Sequence, residues 1–410
     1  MSSARLVLAD GSVFEGRAVG ATGSVGGEVV FNTSMTGYQE MLTDPSYAGQ
    51  LLTLTYPMIG NYGVDTAVEE SGQIQPRGLI VREVAPVSSH PLSTSDLATF
   101  LAERGVVAID GVDTRAITRR IRRHGVMLGV ITTERVEEAR ERVQSLPGYD
   151  GIDWASQVST REQYEWREFA EASDLRPAVE PKANKAISDT RTVDIGFSAS
   201  SGSPTVSITP EAVPADALLD RRKVVLIDGG VKRNIMRSLV ARNCEVTVLP
   251  IDANAEEVLA LRPDGVLWSP GPGDPQVQNS QVEETRKLIG RVPLFGICLG
   301  HQVIARALGA GTFKLPFGHR GGNHPVRDER TGTVTITAQN HGYAVDPEHL
   351  AASAAVSHVN LNDGTVEGLR MHDEPVMTIQ YHSEASPGPL DSMGMFDRFV
   401  EMMDSAGGRR

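Results

Sequence analysis

From Lys223 onward the chain alternates between two kinds of segment: KVVLID, then KRNIMRSLVARN, then EVTVLPI, then AEEVLALR, then GVLWSPGPGDP. The apolar runs are short and rich in Val, Ile and Leu. The segments between them carry helical spacing and are long enough to cross from one strand to a parallel neighbour. This grammar predicts an open parallel sheet with helices on both faces. Asn254, with Glu257 three positions later, reads as a capping box that opens one of those helices. Ligand sites in such sheets gather at the carboxyl ends of the strands. Two loops qualify: GPGDP, Gly271 to Pro275, and the turn that follows Val292, Pro293, Leu294 and Phe295.

The second of these turns carries GICLG, Gly296 to Gly300, with Cys298 at its centre. Small residues two positions before and after a nucleophile let the backbone bend sharply from strand into helix, as in GxSxG hydrolases, here with sulfur in place of a hydroxyl. A cysteine at a helix N-terminus also faces the positive end of the dipole, which favours thiolate. The pentapeptide alone equally suits a small buried core residue. A thiol nucleophile needs a base, and the base needs a group that fixes its tautomer. VMTIQYHSEAS offers both, because His382 and Glu384 stand two residues apart and would project to one side of an extended segment. Attack on a carboxamide generates an oxyanion, for which the Leu299 N–H and an N–H of the Gly271-Pro272-Gly273 loop are sensible donors. His301, His319, His324 and His341 carry less weight, and their spacings match no familiar zinc pattern, so no metal is expected.

The totals narrow the classes of function. With 39 Lys+Arg against 52 Asp+Glu the formal charge is -13, which opposes non-specific nucleic-acid binding and a polybasic membrane contact. Two cysteines, Cys244 and Cys298, argue against a disulfide framework and for a reducing compartment. The opening MSSARLVLADGS turns polar too early for a secretory segment and no apolar run approaches membrane-spanning length, so a cytoplasmic protein is expected. A chain of 410 residues suggests two domains. Between Arg5 and Gly151, short β-like runs (Leu6 to Leu8, Glu28 to Phe31, Leu51 to Tyr56, Gly78 to Val84, Val126 to Ile131) alternate with helical stretches at Ser95 to Arg104 and Thr114 to Arg123. The layout expected is an N-terminal β-rich α+β domain over 1–152, a linker or insertion over 153–220 with Ser, Pro and Ala dominating its later part, and an α/β domain over 221–405. No GxGxxG follows the first strand and no P-loop lysine motif occurs, so no nucleotide site is expected in this chain.

GICLGHQ, together with YHSEAS, resembles a class I, triad-type glutamine amidotransferase. The longer segments FNTSMTGYQEMLTDPSYAGQLLTLTYPMIGNYG, PRGLIVRE, GVDTRAITRRIR and FGHRGGNHPV are similar to the small, glutamine-hydrolysing subunit of carbamoyl-phosphate synthetase. The resemblance implies hydrolysis of L-glutamine to glutamate and ammonia, with Cys298 as nucleophile, His382 shuttling the proton and Glu384 orienting the histidine. It implies that glutamine is held by Ser46, Gly271, Gly273, Leu299, Gln302, Asn340, Gly342 and Tyr343. It also implies a hetero-oligomer with a large ATP-grasp synthetase subunit, which uses ATP, Mg and bicarbonate to make carbamoyl phosphate for pyrimidine and arginine biosynthesis; this chain itself needs no cofactor.

Three positions depart from the family pattern. Ser383 stands where proline is usual, Arg320 replaces a histidine common in FGHHGGNHP, and the stretch from Tyr164 to Asp220 is longer than the usual connector. The altered HSE segment keeps a second reading open, a catalytically silent subunit that docks and regulates the large one. A third, an amidotransferase domain serving an anthranilate or GMP synthetase, gives no reason for the N-terminal 150 residues.

Overall fold

Seven strands close on themselves in the N-terminal part of the computed structural model, which describes residues 2–167 and 221–407. Around the barrel the order is Ser3–Leu8, Val13–Gly20, Val107–Asp110, Gly78–Ile80, Gln50–Leu54, Val25–Asn32 and Met127–Thr132, which pairs back with the first. The sequence pattern missed two of them. Val13–Gly20 is half-exposed, so Glu15 and Arg17 break its apolar signal, and Val107–Asp110 is only four residues long. Gly16 and Gly20 look out of place in a strand, yet a Cβ on either would strike a backbone carbonyl, that of Asp110 or Val106. Helix Thr114–His124, capped by Asp113, drives Ile117 and Ile121 into the barrel core beside Leu6, Phe31 and Ile109.

The C-terminal part is a ten-stranded sheet. Its order is Tyr164–Glu165, Cys244–Pro250, Arg222–Asp228, Gly265–Trp268, Leu294–Ile297, Val376–Ile379, Val366–Met371, Val334–Asp346, Gly311–Asp328 and Ala354–Asn360. The expectation of an open parallel sheet needs correction, because only the five strands from Cys244–Pro250 to Val376–Ile379 run parallel. After Ala307 no helix separates successive strands; Gly311–Asp328 turns at Gly332 into Val334–Asp346, and a short turn of this kind can only join antiparallel neighbours. Glycine and proline in KLPFGHRGGNHPV concealed that strand, which tolerates them through two register shifts.

Helices cover both faces of the parallel core. Ile235 and Leu239 pack with Phe396 and Phe399 on one side, and Val258, Val282, Val303 and Ile304 pack on the other. The capping box is formed: the Asn254 side chain accepts from the Glu257 N–H at 3.0 Å, and Glu257 accepts in return from the Asn254 N–H at 2.9 Å. Residues 155–167 lie against this sheet, with Tyr164–Glu165 as its edge strand and the Thr160 N–H bonded to Asp228. The later Ser, Pro and Ala-rich stretch, and with it most of the segment read as a long connector, lies outside the described residues. Among the described residues no helix is long and apolar enough to cross a membrane.

Candidate active site

Cys298 occupies the turn between strand Leu294–Ile297 and helix Leu299–Ala307, with φ 53° and ψ −104°. Such a backbone is costly for a residue with a Cβ and persists because its surroundings leave no alternative. The flanking glycines show why: a Cβ on Gly300 would strike the Trp268 carbonyl, and one on Gly296 would sit 2.6 Å from the Gly300 carbonyl oxygen. The Cys298 N–H donates to Ile379 O at 2.9 Å, and the buried thiol points at Asn340 O, 3.8 Å away.

Register brings the distant histidine to the same place. Leu294–Ile297 and Val376–Ile379 are parallel neighbours with Ile297 opposite Ile379, so Cys298 and His382 both emerge just beyond the carboxyl edge. The His382 N–H is held by Ala338 O at 2.9 Å, and its Nδ1 meets Glu384 Oε1 at 2.6 Å. The expected extended geometry for this pair is corrected: Ser383 and Glu384 form a turn, closed by the Ala385 N–H on His382 O. That turn curls the carboxylate back beneath the ring. Ser383 needs no prolyl ring to hold this shape, though its hydroxyl is buried without a partner.

Electrostatics couple these groups. Burial alone would lower the proton affinity of His382, but Glu384 and the neighbouring Cys298 thiol outweigh it and push its pKa up to about 10. Burial alone would raise that of Glu384, but Lys232 and His382 hold it down at about 2. Lys232 is itself buried, and its Nζ donates to Glu384 Oε1 at 3.0 Å and to Ala385 O. Asn234 Nδ2 donates to Glu384 O. Sequence reasoning missed Lys232; its one signal was position, four residues beyond the first parallel strand.

Both halves of the chain line one pocket above the thiol. Ser46, Gly271, Gly273, Gln302, Asn340, Gly342 and Tyr343 all face it, and Leu299 opens the helix beside it. The Ser46 hydroxyl is buried with no partner, while its N–H is fixed by Asp44 at 2.9 Å. Asp44 also accepts from Asn340 Nδ2 at 2.8 Å, a direct tie between the halves. The Gly273 N–H proves unsuitable as an oxyanion donor, since it is given to the Tyr149 hydroxyl at 3.1 Å. Pro272 has no N–H, which leaves Gly271 in that loop. Glu28, Gln50, Tyr149, Lys314 and Arg320 line the pocket too, and the sequence pattern gave no reason to select them.

Comparison with known proteins decides the family. A family model described as carbamoyl-phosphate synthase small chain, CPSase domain, matches residues 6–131, and one described as glutamine amidotransferase class-I matches residues 225–402. A carbamoyl phosphate synthase small chain from Syntrophotalea carbinolica is 45% identical, covering 97% of this chain and 97% of its own. The Salmonella typhimurium protein of that name is 45% identical, covering 98% of each. A chloroplastic one from Arabidopsis thaliana is 44% identical over 98% of this chain and 85% of its own. The chain belongs to the carbamoyl-phosphate synthase small-chain family.

Three other histidines of this small-chain relative, His301, His319 and His341, are buried in polar contacts of their own. His301 is buried, its Nδ1 is 2.7 Å from Thr378 Oγ1, and burial pushes its pKa down to about 3. His319, His341 and Glu367 place possible ligand atoms within 4.8 Å of one another. Most of those atoms are already engaged: His319 Nε2 by Asp363, His341 by Tyr343 O and Gln339, and the two Glu367 oxygens by Asn360 and Gln339. The cluster reads as a buried polar network. Cys244, in the core, has its thiol pKa pushed up to about 11 by burial.

Proposed function

We propose that this chain is the glutaminase subunit of a carbamoyl-phosphate synthetase. Cys298, as thiolate, attacks the side-chain carbonyl carbon of L-glutamine, and the charge that develops on oxygen is met by the Leu299 and Gly271 N–H groups. Protonated His382 gives its proton to the departing ammonia, and Glu384, held by Lys232, keeps the ring oriented. Water, activated by the now neutral His382, then cleaves the γ-glutamyl thioester; glutamate leaves and the thiolate is restored. Ser46, Gln302, Asn340, Gly342 and Tyr343 hold the substrate. Ammonia passes to a large ATP-grasp subunit, which consumes ATP with Mg and bicarbonate.

The observation that carries this reading is a buried thiol that lines the pocket and acts on His382, whose Nδ1 meets Glu384 at 2.6 Å. The test is ammonia release from glutamine by wild type and Cys298→Ser, with and without the large subunit. Wild type should exceed the variant by about 10³-fold or more. Equal rates would favour a silent docking subunit.

A further inference from the structure

Arg320 has no part in the reaction as described, yet it lies in the same pocket as Cys298. It sits on Gly311–Asp328 opposite Asn340 and is 5% exposed. Its guanidinium is threaded between two pocket glycines: a Cβ on Gly318 would collide with Nη1, and one on Gly342 would lie 3.5 Å from Nη2. One donor is used internally, Nη1 to Phe317 O at 2.9 Å, and Nε is buried with no partner. Among the described residues no carboxylate comes within ion-pair distance of it. A buried cation without a counter-ion is expensive, and an anionic ligand relieves that cost. The opposite imbalance lies at Glu28 and Lys314, which also line the pocket. Lys314 is shared by two carboxylates, Glu28 at 2.7 Å and Asp150 at 2.6 Å, which leaves that cluster one negative charge in surplus.

We propose that Arg320 is a substrate-binding residue that receives the α-carboxylate of glutamine, while the Glu28, Lys314 and Asp150 cluster favours its α-ammonium. This rests on the glutaminase reading and deepens it: the pocket selects a zwitterion, and does so with a guanidinium at a position where the family segment commonly carries histidine. The contact is made equally in ground and transition states, so it governs KM.

The test compares two substrates, L-glutamine and 4-aminobutanamide, which is glutamine without its α-carboxylate, using the full chain with its large subunit. Arg320→Gln should raise KM for glutamine about 10- to 100-fold with kcat nearly unchanged, and should hydrolyse 4-aminobutanamide as fast as wild type does. Arg320→Lys should recover part of the loss. An unchanged KM for glutamine, or equal losses on both substrates, overturns the proposal. Wild type alone supplies a control against misfolded variants: its kcat/KM should favour glutamine over 4-aminobutanamide by at least about 10-fold, and a ratio near one also overturns it. Wild type that releases no ammonia from glutamine sinks the glutaminase reading itself, whereas an active wild type with an indifferent Arg320→Gln sinks only the role of Arg320.

Discussion

His382 keeps its proton in a buried site because Glu384 touches its Nδ1, and Glu384 keeps its charge because Lys232 touches the same oxygen. The folded pKa of His382, about 10, lies above its ordinary value of 6.5, so its contribution to stability is complete below about 6.5 and is lost as pH rises through about 10. The same proton is needed for the leaving ammonia, so glutaminase activity should fall on the alkaline side only near that upper value. Glu384→Gln removes the largest influence that raises it. The alkaline limb of kcat should then move to lower pH and kcat should drop by about 10²-fold or more, as read from a pH–rate profile. A limb that stays in place would show that Glu384 acts by shape alone.

The elbow shows what a single turn demands. Gly300 lies on the Trp268 backbone, so Gly300→Ala must lift the start of helix Leu299–Ala307 from the sheet and carry the Leu299 N–H away from the thiol. We expect a loss of about 2 kcal/mol or more in thermal or urea unfolding and slower alkylation of Cys298. This element was legible in the sequence because GICLG has a steric meaning at short range. The helices Arg233–Val240 and Ala255–Ala260 were legible for a similar reason, since apolar spacing and one capping box are local signals. The antiparallel half of the sheet was not. Its strands owe their existence to partners across the sheet, and Gly311–Asp328 carries Gly318, whose purpose appears only when Arg320 fills the space beside it. His382 and Glu384 were recognisable as a pair, but the turn that joins them follows from packing around Ala338 and Lys232.

Across the whole molecule, the barrel and the sheet also meet at a buried carboxyl group. Glu70, from the N-terminal half, accepts from the Asn234 N–H at 2.9 Å and has Arg237 at 3.9 Å, one turn of chain from the triad's supporting lysine. Burial pushes its pKa up to about 7, against the pull of Lys232, Asn234 and Arg237. A carboxyl raised in this way stabilises the fold fully below its ordinary value of 4.5, and that contribution disappears as pH climbs through about 7. Glu70→Gln imitates the protonated form. Its melting temperature should match wild type near pH 5 and exceed it by roughly 1–4 °C at pH 8; a gap in the reverse direction at pH 8 would mean that the ionised pairing dominates. The pocket itself is divided between the two halves, with Ser46, Gln50 and Tyr149 supplied by one and Cys298 and Asn340 by the other. The nucleophile is therefore not a portable cassette: grafted without the barrel it would carry its reactive sulfur to a new host and leave behind one jaw of the vice that measures what it cuts.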